Sequence, residues 1–178
     1  MSTSRAACLR VSMAASALLA CTPARVAPPP SPSAAPLDAE ASKRDIARTL
    51  DDMHDAAARA EEARYFAHFA ADAVFLGTDA KERWDMAAFR GFAHPFFANG
   101  HAWSFRSVRR GITLSADQRI AWFDEDLATE KLGPARGSGV VARGASGTWL
   151  VEQYNLTTVV PNGRFAAVRA VIDAPGVP

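Results

Sequence analysis

Apolar residues return at helical spacing from Ile46 through Leu50, Met53, Ala57 and Ala60. Asp51, Asp52, Asp55, Arg59, Glu61 and Glu62 fall largely on the other side. An apolar stripe with charges opposite predicts a long amphipathic helix over about residues 39–60, with Ser42 and Asp45 as candidate caps at its start. Residues 61–73, EEARYFAHFAADA, read as a second, shorter helix with Tyr65, Phe66 and Phe69 on an aromatic face, and residues 73–76 as a short strand. Residues 84–100 read as a third helix, capped by Asp85, with Met86, Phe89 and Phe92 at core spacing and Pro95 as its stop. Past Gly100 the period falls to two: Trp103, Phe105 and Ser107 alternate with Ser104, Arg106 and Val108. Residues 119–129, 136–143 and 148–160 are three further strands, and RGASGT (143–148) is the clearest hairpin turn between them.

Helices followed by a run of strands predict an α+β fold, with the helices packed on one face of an antiparallel sheet. Such a sheet, strongly curved, makes a cone whose inside is a pocket. The stretch VFLGTDAKERWD (74–85) then has a place in it. An apolar strand breaks at Gly77 and gives way to Asp79, Lys81, Glu82 and Arg83, and Trp84 behind these charges predicts that part of the loop packs inward, at the rim of the cone. Phe69, Phe75, Phe89, Trp122 and Trp149 are the expected large core residues.

Composition narrows the functional classes. The chain has 178 residues, 49% of them hydrophobic, room for one domain plus extensions. Net charge is +1 with no basic stripe, so the footprint of a nucleic-acid partner is missing. No apolar run reaches the roughly 18 residues of a membrane-spanning helix. The histidines form no H-E-x-x-H pattern and no cysteine pair exists at ligand spacing, so no metal site and no cofactor are expected. Gly137 and Gly139 in RGSGV lack the context of a phosphate loop, and Ser138 lacks the strand-to-helix elbow of a nucleophile. Those glycines are expected to ease sheet curvature.

The first residues read as an export signal: Arg5 and Arg10, then an uncharged apolar run over residues 11–20. LLAC (18–21) resembles the bacterial lipobox, which implies lipidation of Cys21 and loss of Cys8 with residues 1–21 taken as the signal. Residues 22–41, rich in Pro, Ala and Ser, are an extended tether. The domain is expected over 42–165 and a tail over 166–178. This predicts a protein exported and held by lipid at the bacterial cell envelope, on the periplasmic side of the outer membrane.

YFAHFAADAVFLGTDAKERW, AWFDEDL, RGSGVV and TWLVEQYNLT together, in this order and spacing, resemble the SnoaL-like branch of the nuclear transport factor 2 superfamily. The resemblance covers residues 44–162. Its marks are Phe69, Asp72 and Ala73 at the end of the second helix, and a last strand from Trp149 to Leu156. It implies a cone-shaped barrel, often a homodimer through the outer face of the sheet. It implies no single activity, since members include isomerases, cyclases, dehydratases and binders of small molecules; the site must decide.

Acid–base chemistry needs a carboxylate inside the cone, where a dry environment lifts its pKa. Three carboxylates are candidates, Asp79 past the first strand and Asp124 and Glu125 in AWFDEDL; an enzyme would use Asp79 or Asp124 as base, with Tyr65 as donor. Asp124 shares strand parity with Trp122 and Asp126, and Glu125 with Phe123 and Leu127; both parities are mixed, so alternation leaves the inward one open. Gln153 and Asn155 share parity with Trp149 and Val151, as a pocket wall with a few polar groups would. Related cones often carry His there, and no His–carboxylate pair is visible in this sequence. Tyr65, Trp84, Trp103, Gln153 and Asn155 are therefore the expected ligand-binding residues. Three readings stay open: a domain binding a small apolar ligand, an acid–base isomerase, cyclase or dehydratase, and a dimerising assembly module.

Overall fold

The computed structural model describes residues 38–175. The export signal, Cys21 and nearly all of the tether lie outside the described residues.

Helix α1 spans Ala39–Ala58, and Asp38 caps it: its Oδ1 accepts from the Glu40 and Ala41 amides at 3.0 and 3.2 Å. The cap stands just ahead of Ser42 and Asp45, which lie inside the helix. Ser42, Ile46, Leu50, Met53, His54, Ala56 and Ala57 form its buried face. Helix α2 is a single turn, Glu62–Phe66. The expected helix through residue 73 stops there, because Phe69–Leu76 is strand β1, whose pairing with the last strand overrides local helical preference. Strand β2, Arg83–Asp85, turns back on β1.

Helix α3, Met86–Ala98, is capped by Asp85, which accepts from the Ala88 amide at 2.8 Å. It runs through Pro95 to Ala98. The missing proline N–H falls in the last turns, and the end closes beyond it through Gly100 N–H to Phe97 and His101 N–H to Phe96. Met86, Phe89, Ala93 and Phe97 are buried. Phe92 and Phe96, on the neighbouring stripe, are 41% and 46% exposed.

Strands β3 (Arg106–Leu114), β4 (Ile120–Ala128), β5 (Ala135–Arg143) and β6 (Trp149–Thr158) complete a six-stranded sheet in the order β2-β1-β6-β5-β4-β3. All pairings are antiparallel except β1 with β6, so the sheet is mixed. A 3₁₀ turn at Asn162–Arg164 ends the expected domain, and the exposed helix α4, Phe165–Ile172, runs on into the expected tail over 166–178.

The structure settles the β4 parity. Ala121, Phe123, Glu125 and Leu127 are buried, whereas Trp122, Asp124 and Asp126 lie on the outer face. Trp122 is 51% exposed, so it is no core residue; Phe69, Phe75, Phe89 and Trp149 are buried. A bulge sets the parity of β6. Val140 pairs with Gln153 and Val141 with Val151, which leaves Glu152 as the extra residue. Trp149 and Val151 point inward before it, Tyr154 and Leu156 after it.

Candidate functional site

The concave side of the sheet and α3 enclose a pocket of about 410 Å³, open to solvent. Seven aromatic rings line it: Phe75 from β1, Trp84 from β2, Phe89, Phe92 and Phe96 from α3, and Trp103 and Phe105 from the segment before β3. These rings are stacked side by side. Phe92 lies 4.5 Å from Trp84, Trp84 5.7 Å from Phe89, Phe89 4.0 Å from Phe75, and Phe75 5.6 Å from Tyr154, all within 23° of parallel. Offset stacking of this kind adds to what burial alone contributes. Thr78, Glu82, His101, Thr129, Glu130 and Lys131 supply polar groups.

The turn before Trp84 is built around Gly77. Its N–H donates to the Glu82 carbonyl at 2.8 Å, and the Glu82 carboxylate folds back over the glycine to accept from the Asp79 amide at 3.1 Å. A side chain on residue 77 would overlap that carboxylate. The Asp79 and Glu82 carboxylates of this stretch therefore close the turn, and Trp84 behind them faces the pocket.

Behind the pocket lies a second, very small void of about 10 Å³. It shares Phe75, Trp103, Phe105 and Leu156 with the pocket and adds Met53, His54, Tyr65 and Tyr154. At this end sits a buried ionic cluster. Glu125 has no exposed surface. Its Oε1 meets His54 Nε2 at 2.8 Å and accepts from the Tyr154 hydroxyl at 2.9 Å. Its Oε2 accepts from Arg110 Nε at 2.8 Å, with Arg110 Nη2 at 2.7 Å. Arg110, directly opposite on β3, also donates to the Ala47 carbonyl at 3.1 Å and to Asp51 at 2.8 Å, tying the sheet to α1.

Burial alone would raise the Glu125 carboxyl pKa. The hydrogen bond and charge of His54, with Arg110, outweigh it and hold the group at about 2. The carboxylate is therefore ionised and acts only as an acceptor, so His54 Nε2 carries a hydrogen. Burial, and then the Glu125 charge, push the Tyr154 phenol well above its ordinary value, which keeps it neutral. With its oxygens engaged, Glu125 orients His54 and Tyr154 and is a poor proton acceptor itself. Gly137 makes room for this: a Cβ there would overlap the Tyr154 hydroxyl and come within 3.0 Å of Glu125 Cγ.

The other residues singled out from the sequence fall as follows. Trp84 and Trp103 line the pocket, and Tyr65 lines the void behind it. Burial raises the Tyr65 phenol's pKa, opposed by a hydrogen bond with Trp103. Gln153 is exposed and Asn155 half-buried, and both belong to the outer face, because the Glu152 bulge flips parity between Val151 and Gln153. Asp79 is exposed and caps its own turn by accepting from the Lys81 amide at 2.8 Å. Asp124 stands on the outer face, 3.5 Å from Arg109. Neither candidate base faces the pocket.

The sequence reading held Glu125 among its candidate carboxylates with its facing open, but missed His54, Arg110 and Tyr154, and with them a His–carboxylate pair formed across 71 positions of chain. The signals are visible in hindsight. Glu125 sits at period two with Ala121, Phe123 and Leu127, and His54 lies four residues after Leu50 on the apolar stripe of α1. Among the described residues, no group of three or more His, Cys, Asp or Glu could hold a metal ion.

Comparison with known proteins agrees with this architecture. The model of the SnoaL-like domain matches residues 46–161. No curated protein matches the chain. An NTF2-like protein of unknown function from Shewanella baltica superposes with a TM-score of 0.54 at 13% identity, over 71% of this chain and 100% of its own. A candidate aromatic-ring hydroxylase from Novosphingobium aromaticivorans gives 0.59 at 18%, over 70% and 94%. A candidate ketosteroid isomerase from Parabacteroides distasonis gives 0.53 at 14%, over 65% and 86%. At these identities the likeness carries the fold alone.

Proposed function

Because this chain belongs to the SnoaL-like domain family, we propose that it uses the family's cone to bind one small, largely apolar molecule. The observation that carries this reading is the pocket of about 410 Å³ walled by stacked aromatic rings. Its size and lining fall in the range of small-molecule sites, which are mostly apolar with a few placed polar groups. Exposed Phe92 and Phe96 at the mouth give such a molecule an apolar path inward. Binding comes before conversion in this reading, because the carboxylate behind the pocket is saturated with partners and the two candidate bases point elsewhere.

Equilibrium dialysis against 2-naphthol, a planar apolar probe, tests it. We expect saturable binding of one molecule per chain. Ala102→Trp, which fills the pocket from its wall, should weaken binding at least tenfold while leaving the thermal midpoint near that of the wild type. Unchanged affinity in a folded Ala102→Trp would contradict the reading.

We propose further that the domain works outside the cytoplasm, anchored by lipid on Cys21. Arg5, Arg10, the apolar run over 11–20 and LLAC support this. In a Gram-negative host the protein should fractionate with membranes, and Cys21→Ser should release it or leave it unprocessed. Wild-type protein found in the cytosol with residue 1 intact would end this reading.

A further inference from the structure

The void behind the pocket is far smaller than the pocket itself. At about 10 Å³ it has room for about one water-sized group. Three polar side chains reach it, from three elements: His54 on α1, Tyr65 on α2 and Tyr154 on β6. Next to the pocket thus lies a recess the size of a single oxygen atom with its hydrogen, lined by these three polar side chains and by Met53, Phe75, Trp103, Phe105 and Leu156.

The hydrogen-bond inventory of the recess selects among oxygens. Tyr154 gives its hydrogen to Glu125, so toward the recess its oxygen can only accept. Tyr65 is the reverse. Among the described residues no acceptor holds its hydroxyl hydrogen, which is left to give. His54 has its Nε2 hydrogen on Glu125, and among the described residues no partner holds its Nδ1. That nitrogen accepts when the ring is neutral and donates when it is charged.

A carbonyl oxygen in the recess would satisfy Tyr65 but would face the Tyr154 lone pairs with nothing to give them. A methyl group would leave all three unanswered. A hydroxyl accepts from Tyr65, donates to Tyr154 or His54, and suits His54 in either state. Leaving buried polar groups without partners is costly, which turns this inventory into selectivity.

Resting on the reading of the cone as a binding pocket, we infer that its ligand is hydroxylated: an apolar, ring-containing alcohol or phenol whose hydroxyl enters the recess formed by His54, Tyr65 and Tyr154. The aromatic pocket recognises the body of the molecule, and the recess recognises its one polar end.

The test compares 2-naphthol with 2-methylnaphthalene, in which a methyl replaces the hydroxyl at nearly equal size, by equilibrium dialysis with the purified full chain. The wild type should bind 2-naphthol roughly tenfold more tightly, the worth of one or two neutral hydrogen bonds. Tyr65→Phe removes one oxygen and leaves the Glu125 cluster intact. It should lower affinity for 2-naphthol severalfold and leave affinity for 2-methylnaphthalene unchanged. Equal wild-type affinities for the two probes overturn the inference and leave the pocket reading standing. Failure of both probes to bind overturns the pocket reading, and the recess with it. Should Tyr65→Phe not fold, the wild-type comparison decides alone.

Discussion

At the scale of single residues, the most informative position is Glu125. A carboxylate with no exposed surface survives burial only when its charge is answered, and here His54, Arg110 and Tyr154 answer it. Its pKa lies near 2 in the folded protein, against an ordinary value of 4.5. A depressed folded-state pKa contributes stability that is fully present above the unfolded value and drains away as pH falls toward the folded one. The loss attributable to Glu125 should therefore fall between about pH 4.5 and pH 2. Between those limits the wild type should lose of order 3 kcal/mol more unfolding free energy than Glu125→Gln. At neutral pH the same variant should itself be about 3–5 kcal/mol less stable, since it breaks a buried pair. Urea unfolding of both proteins at several pH values measures this, and parallel pH profiles would show that Glu125 carries no such linkage. The sequence held these residues in view without revealing their meeting. Pairing Glu125 with His54 requires a contact across 71 positions, which periodicity within one element cannot supply. Trp122 misled in the opposite sense: its large ring put it among the expected core residues while the β4 parity stayed open, yet the carboxylate neighbours Asp124 and Asp126 on the same parity show where solvent lies.

At the scale of elements, the helices α1 and α3 and the strands β3 to β6 were legible because hydrophobic period tracks burial. What was lost was lost at irregularities. The single extra residue Glu152 reverses the facing of everything after it in β6, so Gln153 and Asn155 leave the cone and Tyr154 enters it. The short strand β2 and the early end of α2 depend on pairing partners that local sequence does not name. Helix ends show the same division. Both α1 and α3 finish in a Schellman arrangement; α3 uses Gly100 at φ 70°, while α1 places Ala60 at φ 55°. For α1, the Glu61 amide donates to the Ala56 carbonyl at 2.9 Å and the Ala60 amide to the Ala57 carbonyl at 3.0 Å. An L-residue in that left-handed conformation costs about 1–2 kcal/mol, partly offset by the greater unfolded-state freedom of glycine. Ala60→Gly should therefore stabilise the domain by about 0.5–1 kcal/mol, seen as a rise of a few degrees in thermal midpoint. A fall in midpoint would mean that the Ala60 methyl contributes packing that outweighs its backbone cost.

At the scale of the whole domain, one curved sheet divides the tryptophans into three environments. Trp84 and Trp103 line the pocket, Trp122 stands on the outer face, and Trp149 is buried in the core and lines neither cavity. The pocket, its aromatic walls and the small recess beside it follow from that curvature, because helices laid on a cone cannot fill its mouth. The four indole N–H groups are thus built-in reporters, and a ¹H–¹⁵N spectrum recorded during titration with 2-naphthol tests the central claim directly. The account predicts that the Trp84 and Trp103 indole signals move together and saturate with a single dissociation constant, while those of Trp122 and Trp149 stay in place. Saturable movement of the Trp122 signal with Trp84 and Trp103 unmoved would place the binding surface on the outside of the sheet and contradict the account.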